Sequence, residues 1–310
     1  MAQIFDRVLL VKSEVTKGTD ALPVEADACL AITAEVTPSV EAISRKVIKS
    51  TMNEKEHALG KKSLEFKITL ENKGSGTAGV APEFAPLLKA CYLTETVNAG
   101  VSVEYTHTTR TPTSCTIYLY KDGQLWKGLG CVGNAVFTNN IGESSKIEFT
   151  MKALYTVPVN AAVPTAPVFD ATQPVISANV DLVTENAGTI LTGALNFDLG
   201  LDVVEHYTTS NHEFTAADSL PGITITKDSV STATEWNALM NGDTVAILAT
   251  YGNDVTGSPQ AGNMIDYSFP NCVRLSNTYG ERSERDIIES VYRAYESTAT
   301  GDDAFTLTYS

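Results

Sequence analysis

The chain has 310 residues, 43% of them hydrophobic and 19% charged, so it can bury a sizeable core and is not a disordered polymer. Its length fits one large domain or two of ordinary size. The formal charge of −15 lies in one half: residues 1–155 carry 17 Lys/Arg and 17 Asp/Glu, residues 156–310 carry 5 and 20, which argues against a surface that grips nucleic acid.

In chain order, the first half reads as strands around one helix. Val8 to Lys12 is a short apolar run, too short for a signal-peptide core, and no run approaches the roughly 20 residues that span a bilayer. The expectation is a protein made in a cytoplasm without a leader. Thr37 to Lys62 is polar and rich in Lys and Glu, and reads as a long functional or mobile connection. Leu64 to Glu71 alternates apolar and polar residues, the mark of a half-buried strand. Asn72 to Gly79 reads as a flexible loop, and Ala81 to Cys91 as a short helix with Pro82 early and Glu83 in its first turn. Val101–Thr106 and Cys115–Tyr120 follow as strands, then an Asp122-Gly123 hairpin turn with Leu125-Trp126 beginning the return. Val132–Thr138 and Lys146–Tyr155 complete this half.

Val157 to Pro174 carries four prolines among alanines and valines, the composition of an extended linker. Beyond it, Leu191–Val204 and Ile223–Thr226 read as strands. Thr232 to Met240 reads as a helix capped by Thr232, with Glu235 three residues on and Asn241-Gly242 at its end. Thr244–Tyr251, Met264–Phe269, Cys272–Leu275, Ile287–Tyr295 and Ala304–Tyr309 are further strands. A step of 141 residues carries Cys131-Val132 to Cys272-Val273, Glu143 to Glu284, Ile147-Glu148 to Ile288-Glu289 and Lys152-Ala153 to Arg293-Ala294. That pattern points to two copies of one unit.

Catalytic chemistry finds little support. Gly74 to Gly79 fits G-x-G-x-x-G, but the strand before it alternates, a hairpin series follows, and Pro82 removes a helix-start amide. Gly60-Lys61-Lys62-Ser63 resembles the end of a P-loop, yet Lys55 stands where its first glycine belongs. His206 and His212 lie in a polar loop without zinc spacing, and Asp302-Asp303 forms a solvated turn. The five cysteines are odd in number and lack C-x-x-C spacing, so they read as buried apolar residues. No cofactor and no metal is expected.

Gly76-Thr77-Ala78-Gly79-Val80-Ala81-Pro82 to Pro86-Leu87-Leu88-Lys89-Ala90-Cys91 resembles the "GTAG-x-AP-x-x-x-PLL-[KR]-AC" stretch of bacteriophage tail tube (major tail) proteins. Val8 to Asp20 is similar to the opening strand and "GTD" turn of that family. Ile117 to Lys127 is similar to its "Y-x-DG-x-x-x-K" hairpin. Gly128–Gly133 with Lys146–Tyr155, and Asp302 to Leu307, resemble the stretches that end its domains, with Lys152 where glycine is common. The middle of the second half departs most.

The resemblance implies a mostly β fold: two tandem tail-tube-type antiparallel β-sandwich or barrel domains, each with a short flanking helix, at residues 1–156 and 175–310 around the linker 157–174. It implies a structural virion protein, not an enzyme, made in the bacterial host cytoplasm and assembled into stacked rings that form the DNA conduit. Partners would be the chain itself, other tail proteins at the tube ends, and viral DNA passing without specific binding; no membrane is involved. Duplication favours three chains per pseudo-sixfold ring; a single tube domain would need six. Glu65, Glu71, Glu148 and Glu289 are candidate channel-lining acids by alternation, and Thr37, Lys46, Lys49, Glu54 and Lys61 mark a candidate ring-to-ring loop. Alternative readings are a two-domain β-sandwich adhesin, a tail terminator or tail-tip protein of the same fold, and, on the glycine loop alone, a nucleotide-dependent enzyme.

Overall fold

A computed structural model describes residues 7–110, 112–177, 181–229, 233–253, 256–299 and 301–310. The first half contains β1 (Arg7–Ser13), β2 (Ala28–Cys29), β3 (Ala31–Arg45), β4 (Lys55–Glu71), α1 (Ala85–Ala90), β5 (Leu93–Asn98), β6 (Ser102–His107), β7 (Cys115–Lys121), β8 (Gln124–Asn140), β9 (Lys146–Tyr155) and β10 (Val159–Asn160). The second half contains β11 (Leu182–Glu185), β12 (Gly188–Thr189), β13 (Thr192–Asp198), β14 (Leu201–Tyr207), β15 (His212–Ser219) and β16 (Gly222–Asp228). It ends with α2 (Thr234–Asn241), β17 (Thr244–Tyr251), β18 (Ile265–Arg282), β19 (Arg285–Ala294) and β20 (Thr306–Tyr309).

Period-two patterning builds the sheet. Leu64, Phe66, Ile68 and Leu70 of β4 and Ile147, Phe149, Met151 and Ala153 of β9 are buried, while the residues between them point the other way. Burying each large apolar side chain contributes about 1.5–3 kcal/mol. Asp122 and Gly123 both take positive φ (57° and 73°), the backbone that lets a two-residue turn follow the strand twist from β7 into β8. Helix α1 lies over the buried face and buries Ala85, Leu87, Leu88 and Ala90; Pro86 is tolerated at its first turn, where no N–H is needed.

The two halves share a strand order. In the first, antiparallel neighbours run β3, β4, β9, β8, β7, β1. In the second they run β13, β16, β19, β18, β17, β11. Each half also pairs its last strand with the start of the fourth strand of that order: β10 with β8, and β20 with β18. Each helix sits in the same slot, between the second and fifth strands of that spatial order along the chain. Registers agree too: Val132 opposes Lys152 and Gly133 opposes Met151, and the 141-residue step lands on Val273 opposite Arg293 and Arg274 opposite Tyr292. One register shift also coincides, between Ala31 and Thr33 on β3 and between Thr192 and Ala194 on β13.

The halves join edge to edge. The far end of β8 pairs with β13, from Val136 opposite Asp198 to Asn140 opposite Ala194, and β20 pairs with β6. One hydrophobic core runs through both, from Leu9 to Tyr309.

Several sequence expectations are corrected. Thr37–Lys62 is not a loop: β3 and β4 extend through it as a two-stranded arm, leaving only 46–54 as the tip. Both faces of the arm are largely exposed, so it lacks the alternation that marks a half-buried strand. The glycine loop is tied down: the Gly74 N–H donates to Asn263 Oδ1 (2.9 Å) and the Gly76 N–H to the Gly262 carbonyl (2.9 Å). A Cβ on Gly74 would lie 2.1 Å from that carbonyl oxygen, so this close crossing of two backbones requires glycine. The first helix begins at Ala85, and Glu83 instead accepts bonds from the Leu30 and Asp170 amides. The proline-rich segment is strapped to the first half, with the Val168 N–H donating to Glu25 O and buried Lys73 donating to Asp170 O. Leu191–Val204 is two strands, broken at Leu199-Gly200, and His206 and His212 lie on paired strands rather than in a loop. The Thr232 cap falls outside the described residues. All five cysteines are buried and unpaired, as expected.

Candidate functional site

Glu65, Glu71, Glu148 and Glu289 share one face of the sheet. Glu65 and Glu71 are six residues apart on β4, and Glu148 opposes Thr69 between them. Glu148 also opposes Val136, which opposes Asp198, which opposes Gly222, four residues before Thr226, the partner of Glu289. The opposite face carries the core, so this face points away from it. Glu148 and Glu289 are exposed; Glu65 and Glu71 are half-buried. The face is not uniformly acidic. Lys152 opposes Glu65, Lys146 opposes Glu71, and Lys67 lies 3.9 Å from Glu65. Threonines 69, 138, 150, 224 and 226 fill much of the rest. It is a polar surface with interspersed charge and few donors arrayed for a phosphate backbone.

The arm is the second feature. Thr37 lies on β3 and Lys61 on β4, with Lys46, Lys49 and Glu54 at the tip; Lys49 and Lys61 are half-buried, the others exposed. Val40, Ile43, Ile48, Met52 and Leu59 expose apolar surface along its length. These exposed apolar side chains are spread over both faces of the arm, since Leu59 opposes Ala42 while Ile43 opposes Ala58.

The second half has its own arm, formed as β13 runs on into β14 and β15 into β16. This arm folds back over the first half: Lys17 donates to Phe214 O (2.7 Å), the Ala216 N–H donates to Tyr92 OH (2.9 Å), and Lys152 donates to Val203 O (2.8 Å). Phe214 is buried as a result. The two arms meet where Lys61 Nζ lies 3.1 Å from Glu205 Oε2, while His212 Nε2 lies 2.8 Å from Glu205 Oε1. Burial works to raise the Glu205 carboxyl, but these two partners outweigh it and hold it below its usual value. Lys61, hydrogen-bonded to that carboxylate, is held above its own.

A buried charged network sits under α2 and had no signal in the sequence. Lys227 Nζ lies 2.9 Å from both Glu185 and Glu235, Arg274 lies 3.3 Å from Glu185, and Tyr292 OH donates to Glu185. Two cations and two anions balance, tying α2 to β11, β16, β18 and β19. Removing one member of such a set costs about 3–5 kcal/mol because a buried charge is left unpaired. Within it Glu235 Oε2 and Arg274 Nε have no hydrogen-bond partner among the described residues, and Lys227 and Glu235 line a cleft beside Thr189, Leu191 and Asp286.

No cluster of three or more His, Cys, Asp or Glu suited to a metal occurs among the described residues. The two amides of the glycine loop that a phosphate would need, at Gly74 and Gly76, are already donated within the chain. His107 and Asp302, 3.1 Å apart, line a cleft of about 700 Å³ between the halves, but they serve to fix Thr109, which donates to the same carboxylate. Among the described residues no helix is long and apolar enough to cross a membrane.

The chemistry of the described residues is therefore that of surfaces and edges: a polar sheet face, a long apolar-decorated arm, and the terminal strands of a sheet that already joins two similar halves. No curated protein matches the chain. The family described as phage tail tube protein matches residues 5–291, nearly the whole chain and both halves. The chain belongs to the phage tail tube protein family.

Proposed function

We propose that the chain self-assembles into rings that stack into the hollow tail tube, the conduit through which viral DNA leaves the virion. Three chains form each ring, and each chain supplies two modules, at residues 1–156 and 175–310, so that six modules surround the channel. The observation that carries this reading is the repeated strand order, with matched registers and helices in matched slots. Edge-to-edge joining of the halves supports it, because a sheet that continues from module to module loses its open edges only by closing.

In this arrangement the face bearing Glu65, Glu71, Glu148 and Glu289 lines the channel. Its acids repel phosphates, while Lys67 lies 3.9 Å from Glu65 and Lys152 donates to the Val203 carbonyl. The arm tip, with Lys46, Lys49 and Glu54, reaches the adjacent ring. Other tail proteins meet the tube at its ends. The protein is made in the host cytoplasm and functions without catalysis or cofactor.

Electron microscopy of the purified protein tests the reading. Hollow tubes or rings are expected; a protein that stays a compact monomer at high concentration contradicts it.

A further inference from the structure

The joint between the two halves is a template for a joint between chains. In the template, β8 residues 136–140 pair with β13 residues 194–198 in antiparallel register, with Phe137 opposite Phe197, both fully buried. The matched strand order assigns each side a counterpart. Val36 opposes Phe66, which opposes Met151; Phe197 opposes Ile223, which opposes Tyr292. Met151 and Tyr292 are related by the 141-residue step, so β3 is the counterpart of β13 and Val36 of Phe197. On the other side, Phe137 opposes Ile147 and Tyr279 opposes Ile288, the same step again, so Tyr279 is the counterpart of Phe137.

Both counterparts lack the neighbour the template supplies. Among the described residues β3 pairs only with β4, and β18 beyond Val273 pairs only with β19. Tyr279 is 62% exposed where Phe137 is 0%. Beside it, α2 buries none of its residues although α1 buries four, and Met240 stands 78% exposed.

We infer that the free edge of β18, residues 278–282, pairs antiparallel with the free edge of β3, residues 33–37, of a second copy of the chain. The inference rests on the ring reading above and names its joint. The register follows from the template: Val36 faces Tyr279 of the partner subunit, Thr37 faces Thr278 of the partner subunit, and Thr33 faces Arg282 of the partner subunit. One departure is built in. The Leu199 N–H donates to Ala135 O in the template, but the counterpart of Leu199 is Pro38, which has no N–H. The joint between chains therefore ends one bond sooner than the joint within the chain.

Directed cross-linking of the full chain tests the register. Because the Leu199–Ala135 pair is hydrogen-bonded, the next pair, Asp198 and Val136, is not. Non-hydrogen-bonded pairs bring Cα atoms to about 4.5 Å, within disulfide range. Thr37 and Thr278 occupy that position and are both exposed, so Thr37→Cys and Thr278→Cys leave the fold intact. The native cysteines are buried and stay silent. Oxidising an assembled mixture of the two single variants should give covalent dimers, and the double variant should give covalent trimers. A Thr33→Cys with Thr278→Cys mixture, about four residues out of register, should give almost none. Tubes that form but yield no Thr37–Thr278 cross-link, or that cross-link equally well through Thr33, overturn this joint and leave the tail-tube reading standing. Variants and parent that remain monomeric by microscopy overturn both.

Discussion

Phe137 and Phe197 face each other across the seam between the halves, ring centroids 5.6 Å apart and planes inclined by 16°. Each also meets Tyr267 edge-on, at 5.8 and 6.2 Å, and Phe197 packs against Phe269 at 4.8 Å. One aromatic cluster thus locks three strands from two halves of the chain at the point where the sheet passes from one to the other.

Phe197→Ala should open a cavity in that cluster and cost about 3–5 kcal/mol. Denaturant unfolding of the variant under non-assembling conditions measures it. Since the core is continuous, the loss should appear as one cooperative shift of the whole chain rather than as separate melting of the second half.

The contact between the arms should weaken in acid. The Glu205 carboxyl is held below its usual value in the folded chain by Lys61 and His212. Its contribution is therefore fully present above the ordinary carboxylate pKa and is lost as pH falls through the depressed folded value. Glu205→Gln should lower Tm at pH 7, and the difference from the parent should close as the scans are repeated toward acid pH.

Replacing the arm tip, residues 46–54, with a short turn should leave rings and abolish their stacking. Negative-stain images count rings against tubes. Tubes of normal length from the shortened chain would remove the tip from the ring-to-ring contact.

Reversing the charge of the sheet face should make the channel adhere to DNA. Tubes built from a variant with Lys at 65, 71, 148 and 289 should retain short duplexes at low salt and release them steeply as salt rises; parent tubes should retain none. If these four side chains lie on the outside, the variant tubes would still bind duplexes at low salt, but nuclease would remove them; DNA held in the channel should be protected.

Much of the fold was legible because its strands are half-buried. Leu64–Glu71 and Lys146–Tyr155 alternate cleanly, and both lie where the pattern placed them. The 141-residue step reappeared as a shared register, since pairing partners on β8, β9, β18 and β19 are fixed by the same inward side chains. The arm was illegible for the opposite reason. Neither of its faces packs on a core, so period two has nothing to select, and a 17-residue strand reads as a polar connection. The glycine loop misled in another way: Gly74 and Gly76 look free in sequence, and only the crossing of Gly262 and Asn263, far along the chain, explains them. The network around Lys227 gave no sign because its members, Glu185, Glu235, Arg274 and Tyr292, are scattered across more than a hundred residues. The four candidate channel acids were singled out by alternation alone, which could not reveal that Lys146 and Lys152 sit opposite two of them.

The most direct test of the central claim is the rotational symmetry of assembled rings, from averaged end-on views together with the number of chains per ring by mass. Two modules per chain predict threefold symmetry with strong sixfold character and three chains in each ring. Six chains in a strictly sixfold ring would contradict the account, because each chain would then contribute only one module to the channel and the second half would be a decoration.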